Sequence, residues 1–380
     1  MHYNVSDERK LTSAMRNESA LQRFDFVLFG AVIILIVFGI MMIASATQGA
    51  IDPELINRVP DQINYAVIGV VVMLALSFFD YRNLSGLSIW LYIINIILLM
   101  LVFLFGVEGD GGAQRWLNLG IRIQPSEIGK IVLIITLSSF LATRYQEMDK
   151  LTTVMKALLY VAIPTALVFI QPNLGMTIIY GVVTATILWG AGLRLRHIAI
   201  FMLIGIISLP IVVSQLRGYQ LSRITTFLNP DSDPDARYNV DQAVISVGSG
   251  GITGKGYTIG SQNQGRFLRV RHTDFIFSVI AHEFGFVGAV STIGLIGLVL
   301  ARILRGARYA SDPLGAMICY GVGAMIFFQT VVSIGMNLRL MPVTGLTLPF
   351  VSSGGTSLMF TLIGIGLVQS VIIRRRRLAI

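Results

Sequence analysis

Long runs of apolar residues, separated by shorter polar stretches, recur along almost the whole chain. The longer runs match the roughly 20 residues that an α-helix needs to cross the hydrocarbon core of a bilayer. The pattern predicts an all-α polytopic membrane protein with about ten transmembrane helices. We place them at residues 26–46, 63–79, 84–105, 128–142, 157–170, 176–191, 198–213, 275–304, 316–336 and 356–373.

Composition supports this class of protein. The chain is 54% apolar and 13% charged, whereas charged residues make up about a quarter of a soluble domain, so soluble enzymes are excluded. The single cysteine, Cys319, lies inside an apolar run, which excludes an intrachain disulfide and a cysteine-based metal site. The first apolar run has full length and no cleavage-type ending, so we expect a retained helix and not a signal peptide.

The net charge of +9 reflects topology. Lys and Arg residues concentrate in the short loops on the side of the two termini, as at Arg302, Arg305, Arg308 and residues 374–377. Because cytoplasmic loops of membrane proteins are enriched in these residues, we predict that both termini are cytoplasmic. The same distribution argues against nucleic-acid binding.

Two loops on the predicted outer face are unusually long, at residues 106–127 and 214–274. The second is one large extracytoplasmic loop between helices 7 and 8. Long loops in compact chains are either functional or disordered. Glycine, apolar and charged residues alternate here, which favours order. Nothing else divides the chain, so we predict one integral membrane domain over residues 1–380, with its chemistry on the outer face.

The segment Arg271-His272-Thr273-Asp274 stands where the long loop meets the eighth helix. A carboxylate in this position often caps the helix and offsets the positive end of its dipole. The alternative is a general base at the membrane surface, partly desolvated by Phe275 and close to an acceptor hydroxyl. The spacing does not decide between these two interpretations.

A glycine-rich run at residues 248–256 includes Lys255. It is not a Walker A motif, because Ser249 and Gly256 occupy the positions that require Gly and Ser or Thr. Two interpretations stay open: a flexible turn, or backbone N–H groups that approach an anion beside the point charge of Lys255. Further cations follow closely at Arg266, Arg269 and Arg271, and this concentration of positive charge suits a phosphate-bearing ligand.

The first outer loop contributes Arg115 and Trp116, followed by Glu127 and Lys130 at the start of the fourth helix. Glu127 and Lys130 are three residues apart, so they share a helix face and are able to pair. Ionisable groups at membrane depth commonly mark a functional site. In the alternative interpretation, Lys130 extends toward the interface with Glu127 as its neutralising partner, and Trp116 belongs to an interfacial aromatic belt.

The connection before the last helix, residues 341–357, combines two prolines and three glycines with several hydroxyl residues, among them Ser352 and Ser353. This composition predicts non-helical backbone at membrane depth, which is tolerated only when it is buried in protein or lines a cavity.

Taken in order, these motifs resemble those of the SEDS family (shape, elongation, division and sporulation), and the resemblance spans nearly the whole chain. The residues that carry it are Arg115-Trp116, 124–130, 171–175, 248–256 with Gln264, 272–277 and 342–355. Gly254-Lys255-Gly256 and the run into His272-Thr273-Asp274-Phe275 are more similar to RodA, the elongation member, than to the division member FtsW.

The resemblance implies a peptidoglycan glycosyltransferase that polymerises lipid II at the outer face of the cytoplasmic (inner) membrane during cell elongation and shape maintenance. It implies a class B penicillin-binding protein as transpeptidase partner, beside other membrane proteins of the elongation complex. It also makes Asp274 the residue required for activity. We predict that substrate is bound by Arg115, Trp116, Glu127, Lys130, Lys255, Gln264, Arg266, Arg271, His272, Thr273, Ser352 and Ser353.

The chain departs from the family pattern at several positions. Asn173 and His282 stand where the family usually has acidic residues, so a mechanism should not depend on them. The other departures are Arg269, Arg339, Thr347 and Ser353. Asp274, Glu127 and Lys130 match the pattern.

The chemistry of the reaction fits this set of residues. The leaving group of a lipid-linked sugar pyrophosphate is already an anion, so one base with surrounding positive charge is sufficient, whereas a glycoside hydrolase needs two carboxylates. Asp274 is the predicted base, and Lys255, Arg266 and Arg271 are the predicted cations. A divalent cation, Mg²⁺ or Mn²⁺, with Asp274 as a ligand stays open, and we expect no organic cofactor.

Two other functions are alternatives for a chain of this kind. A lipid II flippase, which transports the lipid-linked precursor, should carry polar residues through the membrane midplane, yet the ionisable groups here concentrate at the outer helix ends. A noncatalytic scaffold for a partner enzyme would give no reason for an acidic residue among so many cations.

Overall fold

A computed structural model describes residues 20–49, 52–108, 114–118, 122–194, 196–197, 199, 218–229, 231, 233–259 and 270–375. Its helices are α1 (Phe26–Thr47), α2 (Pro53–Ile56), α3 (Arg58–Phe78), α4 (Arg82–Gly86), α5 (Ser88–Phe105), α6 (Pro125–Ala142), α7 (Leu151–Ile170), α8 (Leu174–Gly190), α9 (Gly218–Leu228), α10 (Pro234–Ser249), α11 (Ile276–Arg308), α12 (Pro313–Asn337) and α13 (Gly355–Ile373). Short 3₁₀ turns occupy Ala20–Arg23 and Tyr145–Glu147, and the strands are β1 (Val107–Glu108), β2 (Gln114–Asn118) and β3 (Arg122–Ile123).

The polytopic all-α class is confirmed. Within the described residues, 8 helices are long and apolar enough to cross a membrane, and the 17-residue helix α8 is an apolar helix just below that length. Each of these nine helices corresponds to a predicted crossing. The remaining prediction, residues 198–213, lies outside the described residues.

Helices α6 and α13 form the centre of the bundle, because 78% and 83% of their apolar windows are buried. In the peripheral helices α3 and α5 only 22% and 17% is buried, and large apolar side chains such as those of Val71 and Leu104 are exposed there. Apolar residues on such a surface are stable only against lipid, so these faces are the membrane-facing ones.

The two long loops contain ordered structure, as their composition predicts. Strands β1, β2 and β3 form a small antiparallel sheet in the order β1-β2-β3, and β3 leads into α6 through Gln124. The loop predicted at 214–274 contains two helices, α9 and α10. Helix α10 packs on α11, so the described part of this loop is tied to the bundle.

Helix α11 has 33 residues, which exceeds the length that a bilayer core requires. Gly285 interrupts it with a non-helical conformation, φ 66° and ψ −158°. Positive φ is readily adopted only by glycine, so this position divides α11 into an outer segment that follows Asp274 and a long inner segment.

We call the end of the bundle where α1 begins and α13 ends the terminal end. There the Asp25 N–H donates to Gln369 Oε1, and the Asp25 carboxylate lies 2.6 Å from Arg302 Nη2. Asp312 accepts hydrogen bonds from Tyr81 and Arg82 at the same end. The opposite end, where α1 ends and the long loops begin, is called the loop end.

Candidate active site

A cavity at the loop end is bordered by segments from four parts of the chain. Its internal volume, taken as the space open to the centre of a water-sized sphere, is about 30 Å³, so it is a narrow pocket. It is lined by Arg115, Pro172, Asn173, Leu174, Gln220, Arg223, Ile224, Pro342, Val343 and Thr344. Strand β2, the turn before α8, helix α9 and the segment after α12 therefore meet here.

Among the predicted binding residues that the structure describes, Arg115 is the one that lines this cavity. It projects from β2, and its Nη2 donates to the Pro172 carbonyl at 2.5 Å. This contact fixes the guanidinium at the turn before α8. Asn173 lies in the same turn, where its side chain caps α8 by accepting a hydrogen bond from the Met176 N–H at 3.3 Å. Asn and Asp serve equally well as N-caps, so the departure at Asn173 leaves this turn intact.

Asp274 lies beside Gly345, close to the cavity, and is not itself one of the lining residues. An ideal Cβ on Gly345 would be 3.5 Å from Arg223 Nη1 and 3.9 Å from Asp274 Oδ2. Gly345 has a φ of 74°, and it directly follows Thr344 in the cavity wall. The Asp274 carboxylate and the Arg223 guanidinium therefore converge on the same small space at the cavity rim.

Asn337 holds the backbone at Asp274. Its Nδ2 donates to the Asp274 carbonyl at 2.8 Å, and its Oδ1 accepts from the Ser278 N–H at 3.0 Å and from Ser278 Oγ at 2.7 Å. Helix α11 begins at Ile276 with Phe275 as its N-cap residue. Because Phe275 is the N-cap residue and Asn337 accepts from the Ser278 N–H in the first turn, the capping interpretation is not needed to explain Asp274.

The structure gives Ser352 and Ser353 contacts within the protein, and their predicted contacts with substrate stay predictions. Ser352 Oγ donates to the Thr273 carbonyl and accepts from the Leu348 N–H, both at 2.8 Å. The Ser353 N–H donates to the His272 carbonyl at 2.9 Å. Both serines are buried, so their described contacts hold the turn before Asp274 in place.

Arg271 also departs from its predicted role as a cation facing the pyrophosphate. Its side chain is buried, and its Nε donates to the Ala46 carbonyl near the end of α1. His272 is buried as well, whereas Thr273 is partly exposed with its Oγ1 3.4 Å from the Val270 carbonyl. Arg271 and His272 therefore anchor the Asp274 turn to the bundle.

The glycine-rich run packs against the interruption in α11, which contradicts the anion-binding interpretation of its backbone. The N–H groups of Lys255 and Gly256 donate to the carbonyls of His282 and Glu283, each at 3.0 Å. A Cβ on Gly254 would lie 2.1 Å from the Glu283 oxygen. The glycines are needed because two backbones approach closely, and the relevant N–H groups are already used.

Lys255 itself has an exposed side chain and does not line the cavity. Its N–H contacts the helix eight residues beyond Asp274, which corresponds to about 12 Å along a helix axis. Beneath it, His282 is buried with Nδ1 2.9 Å from Ser249 Oγ. The phenol of Tyr257 follows in the same segment, and its pKa is raised by burial and by the nearby Glu283 carboxylate.

Glu127 and Lys130 form the predicted pair, with Lys130 Nζ 2.6 Å from Glu127 Oε2. Their side chains are 5% and 0% exposed, so Lys130 does not extend to the interface. Neither residue lines the cavity. Trp116 is half-buried in β2 opposite Val107 and is also absent from the lining. The predicted residues Gln264 and Arg266 lie outside the described residues.

Sequence reasoning missed Gln220 and Arg223, which the structure brings into the cavity wall. They lie three residues apart on α9 and so share a face of that helix. The mixed glycine, apolar and charged composition of the long loop gives no clear helical pattern over these residues, so their spacing did not stand out. Asn337 was missed too, although a lone amide residue near the end of an apolar run was a signal for it.

Comparison with known proteins gives concordant matches. The family model FtsW/RodA/SpoVE, described as cell cycle protein, matches residues 25–377. The protein named peptidoglycan glycosyltransferase MrdB from Escherichia coli (strain K12) is 35% identical over 359 residues, which cover 94% of this chain and 96% of MrdB.

Two solved structures share the fold. The crystal structure of the rod shape determining protein RodA from Thermus thermophilus gives a TM-score of 0.68 at 31% identity, covering 93% of this chain and 98% of that one. A chain from a structure on the coordination of polymerization and crosslinking by a peptidoglycan synthase complex gives a TM-score of 0.77 at 31% identity, with coverage of 92% and 97%.

Proposed function

Since this chain belongs to the FtsW/RodA/SpoVE family, we propose that it is a peptidoglycan glycosyltransferase of the elongation type. Its substrate in this proposal is lipid II, a disaccharide joined to a lipid through a pyrophosphate. The reaction takes place at the outer face of the cytoplasmic (inner) membrane, during cell elongation. The observation that carries the proposal is the convergence of Asp274 and Arg223 at the rim of a cavity that also contains Arg115.

Asp274 acts as the general base in the proposed reaction. The hydroxyl of the acceptor sugar attacks the anomeric carbon of the donor while the bond from that carbon to the pyrophosphate oxygen breaks. The hydroxyl proton passes to the Asp274 carboxylate, and the lipid pyrophosphate leaves as an anion. A positioned base of this kind contributes roughly 10²- to 10⁴-fold to a rate.

The departing pyrophosphate requires positive charge. Arg223 and Arg115 are the cations supported by the cavity lining. A guanidinium offers paired donors that match phosphate oxygens, and preorganised charge is most effective where negative charge develops. These two arginines take the roles that the sequence suggested for Arg271 and Lys255, because Arg271 is buried against Ala46 and Lys255 is remote from the lining.

A divalent cation is compatible with this arrangement. Mg²⁺ is commonly held by one or two carboxylates together with substrate phosphates, so Asp274 and the pyrophosphate are a suitable ligand set. The described residues contain no group of three or more His, Cys, Asp or Glu side chains suited to a metal ion. Most ligands would therefore come from substrate and water, and the ion would supply additional charge for the leaving group.

The proposed partner is a class B penicillin-binding protein that crosslinks the new strands, together with other membrane proteins of the elongation complex. Support comes from the similarity to a chain of a peptidoglycan synthase complex, whose description pairs polymerization with crosslinking.

The proposal is tested by incubating the purified chain with lipid II in proteoliposomes, alone and with its transpeptidase partner. Glycan products are then separated on a gel. We expect a ladder of polymerised strands that requires the chain. A preparation that moves labelled lipid II across the bilayer and forms no glycan, with or without the partner, would contradict the proposal.

A further inference from the structure

The first two turns of α6 carry two buried charges, Glu127 and Lys130. Lys130 and Glu127 are paired at 2.6 Å, and their side chains are 0% and 5% exposed. Removing charges from water is costly, and the mutual attraction offsets the cost only when the geometry of the pair is good. Contacts that fix the backbone of this part of α6 therefore also fix the geometry of the Glu127–Lys130 pair.

Gly129, between the paired residues, leaves a gap that side chains from two other helices fill. A Cβ at this position would lie 1.9 Å from Tyr180 Oη and 3.0 Å from Asn95 Oδ1. A separation of 1.9 Å is impossible for nonbonded atoms, so the local packing requires glycine. Tyr180 of α8 and Asn95 of α5 thus bring polar groups directly against this turn.

Tyr180 binds the turn at one defined atom. Its hydroxyl donates to the Ser126 carbonyl at 3.1 Å, and the tyrosine is completely buried. In an α-helix that carbonyl also accepts the N–H of the residue four positions later, which is Lys130. The Tyr180 hydroxyl therefore contacts the Ser126 carbonyl oxygen, which is also the acceptor for the backbone N–H of Lys130.

The polar atoms around this turn are incompletely satisfied. Asn95 Oδ1 and Ser126 Oγ are buried without a hydrogen-bond partner among the described residues. Lys130 Nζ and Glu127 Oε2 have only their mutual ion contact. Buried polar groups in proteins are nearly always hydrogen-bonded, so four such atoms on and beside one turn call for an explanation.

We propose that Tyr180 and Asn95 are positioning residues that orient the buried Glu127–Lys130 pair for glycosyl transfer, and this inference rests on the proposed function. Neither residue contacts substrate. Tyr180 fixes the Ser126 carbonyl, and Asn95 places its amide oxygen against the same turn through the space left by Gly129. The pair is thereby held in one orientation relative to the helix start.

The kinetic test is Tyr180→Phe, which removes the hydroxyl and keeps the ring. Loss of one hydrogen bond should lower kcat on the order of 10-fold with KM unchanged. Because the Glu127–Lys130 pair is then no longer held in one orientation, the pH profile of kcat should shift as well. Tyr92→Phe is the matched control, since Tyr92 Oη donates to the Tyr160 carbonyl at 2.8 Å, and both its kcat and its pH profile should stay as in wild type.

A second measurement does not depend on activity. Thermal unfolding of Tyr180→Phe, Lys130→Met and the double variant reports whether the two residues interact, because contacting residues show non-additive effects. We expect the two shifts in Tm to be non-additive, and the same cycle with Asn95→Leu to behave alike. Additive shifts would overturn the inference.

The possible failures can be told apart. A wild-type chain that makes no glycan refutes the proposed function, while the unfolding cycle still reports whether Tyr180 and Asn95 hold the pair. A Tyr180→Phe protein with normal kcat overturns the inference. So does one whose kcat falls only in step with its Tm while the pH profile is unchanged, because the hydroxyl then has a structural role alone.

Discussion

The two ends of the helical bundle use the same residue types in different ways. At the terminal end, Asp312 accepts from the Gly315 N–H at 2.8 Å, from Tyr81 Oη at 2.7 Å and from Arg82 Nε at 2.8 Å. At the loop end, the Asp274 carboxylate and Arg223 flank Gly345 beside a cavity.

The contrast teaches that an Asp beside an Arg can have a structural or a catalytic role, and that the surrounding contacts decide which. Asp312 caps α12 and closes a network of protein donors, which is a structural role. Asp274 has its backbone braced by Asn337 and its carboxylate at a cavity rim, which suits chemistry on a bound molecule. The following predictions compare these two ends.

The largest expected difference separates Asp274→Asn from Asp312→Asn. Loss of the base should reduce lipid II polymerisation roughly 10²- to 10⁴-fold while Tm stays near that of wild type. Asp312→Asn should lower Tm and leave the turnover of folded protein nearly unchanged. Glycan synthesis and thermal unfolding, measured on both variants, check this, and equal losses of turnover would remove the distinction between the ends.

Arg223→Ala should have the next largest effect. Removing a charge-assisted contact costs about 1.5–3 kcal/mol, so we expect a loss of about 10- to 100-fold in kcat/KM. Arg237→Ala is the control, because Arg237 of α10 forms exposed ion pairs with Asp241 of the same helix and with Asp231, which precedes it. Exposed pairs contribute little, so the control should polymerise lipid II normally. Comparable losses in the two variants would count against a specific role for Arg223.

Gly345→Ala should affect both stability and activity. The φ of 74° disfavours alanine by about 1 kcal/mol, and the new methyl group would crowd the space shared by Arg223 and Asp274. Gly192→Ala is the matched control: its φ is 92°, and no atom lies within 4 Å of its ideal Cβ. Both variants should unfold at lower temperature, and only Gly345→Ala should also lose turnover per folded molecule. If Gly345→Ala and Gly192→Ala have equal turnover per folded molecule, the space beside Gly345 is not part of the active site.

The smallest effect concerns pH at the terminal end. Burial alone would raise the pKa of Asp312, yet the hydrogen bonds from the Gly315 N–H, Tyr81 and Arg82 lower it overall. A carboxyl with a lowered folded pKa stabilises the protein above its unfolded value of about 3.9, and this contribution is lost as pH falls through the folded pKa. Tm should therefore fall at acidic pH in wild type, and less steeply in Asp312→Asn.

The same cluster at the terminal end is expected to lose stability at high pH. Burial, above all, raises the pKa of Tyr81 to about 12. The folded state thus retains a proton that the unfolded state releases near pH 10, and the stabilisation is lost as pH rises from there toward 12. Tyr81→Phe should make this alkaline decrease in Tm smaller, because it removes the share that Tyr81 contributes. A wild-type Tm that is flat over this range would contradict the assignment.

The sequence predicted the membrane-spanning helices well, because long apolar runs have few alternatives in a chain of this composition. It placed the end of α13 correctly at Ile373 and the start of α6 within one turn. The differences are largest where polar residues continue a helix beyond the apolar run, as at Leu151 in α7 and at Arg58 in α3.

The site was predicted in part, for physical reasons that particular residues illustrate. Arg115 and Asp274 reach the cavity region, whereas Arg271 is bound to the backbone at Ala46. A pattern of charges cannot distinguish an arginine that faces a ligand from one that closes a tertiary contact. Likewise, glycines near Lys255 predicted either a turn or an anion site, and their actual partner is a helix backbone distant in sequence.

The central claim is that Asp274 acts on the transition state and not on binding. The most direct test measures lipid II binding and single-turnover polymerisation by Asp274→Asn in the same proteoliposomes. The account predicts a dissociation constant within about threefold of wild type and a rate constant lowered by roughly 10² or more. A variant that binds lipid II far more weakly, yet polymerises what it binds at the wild-type rate, would contradict it.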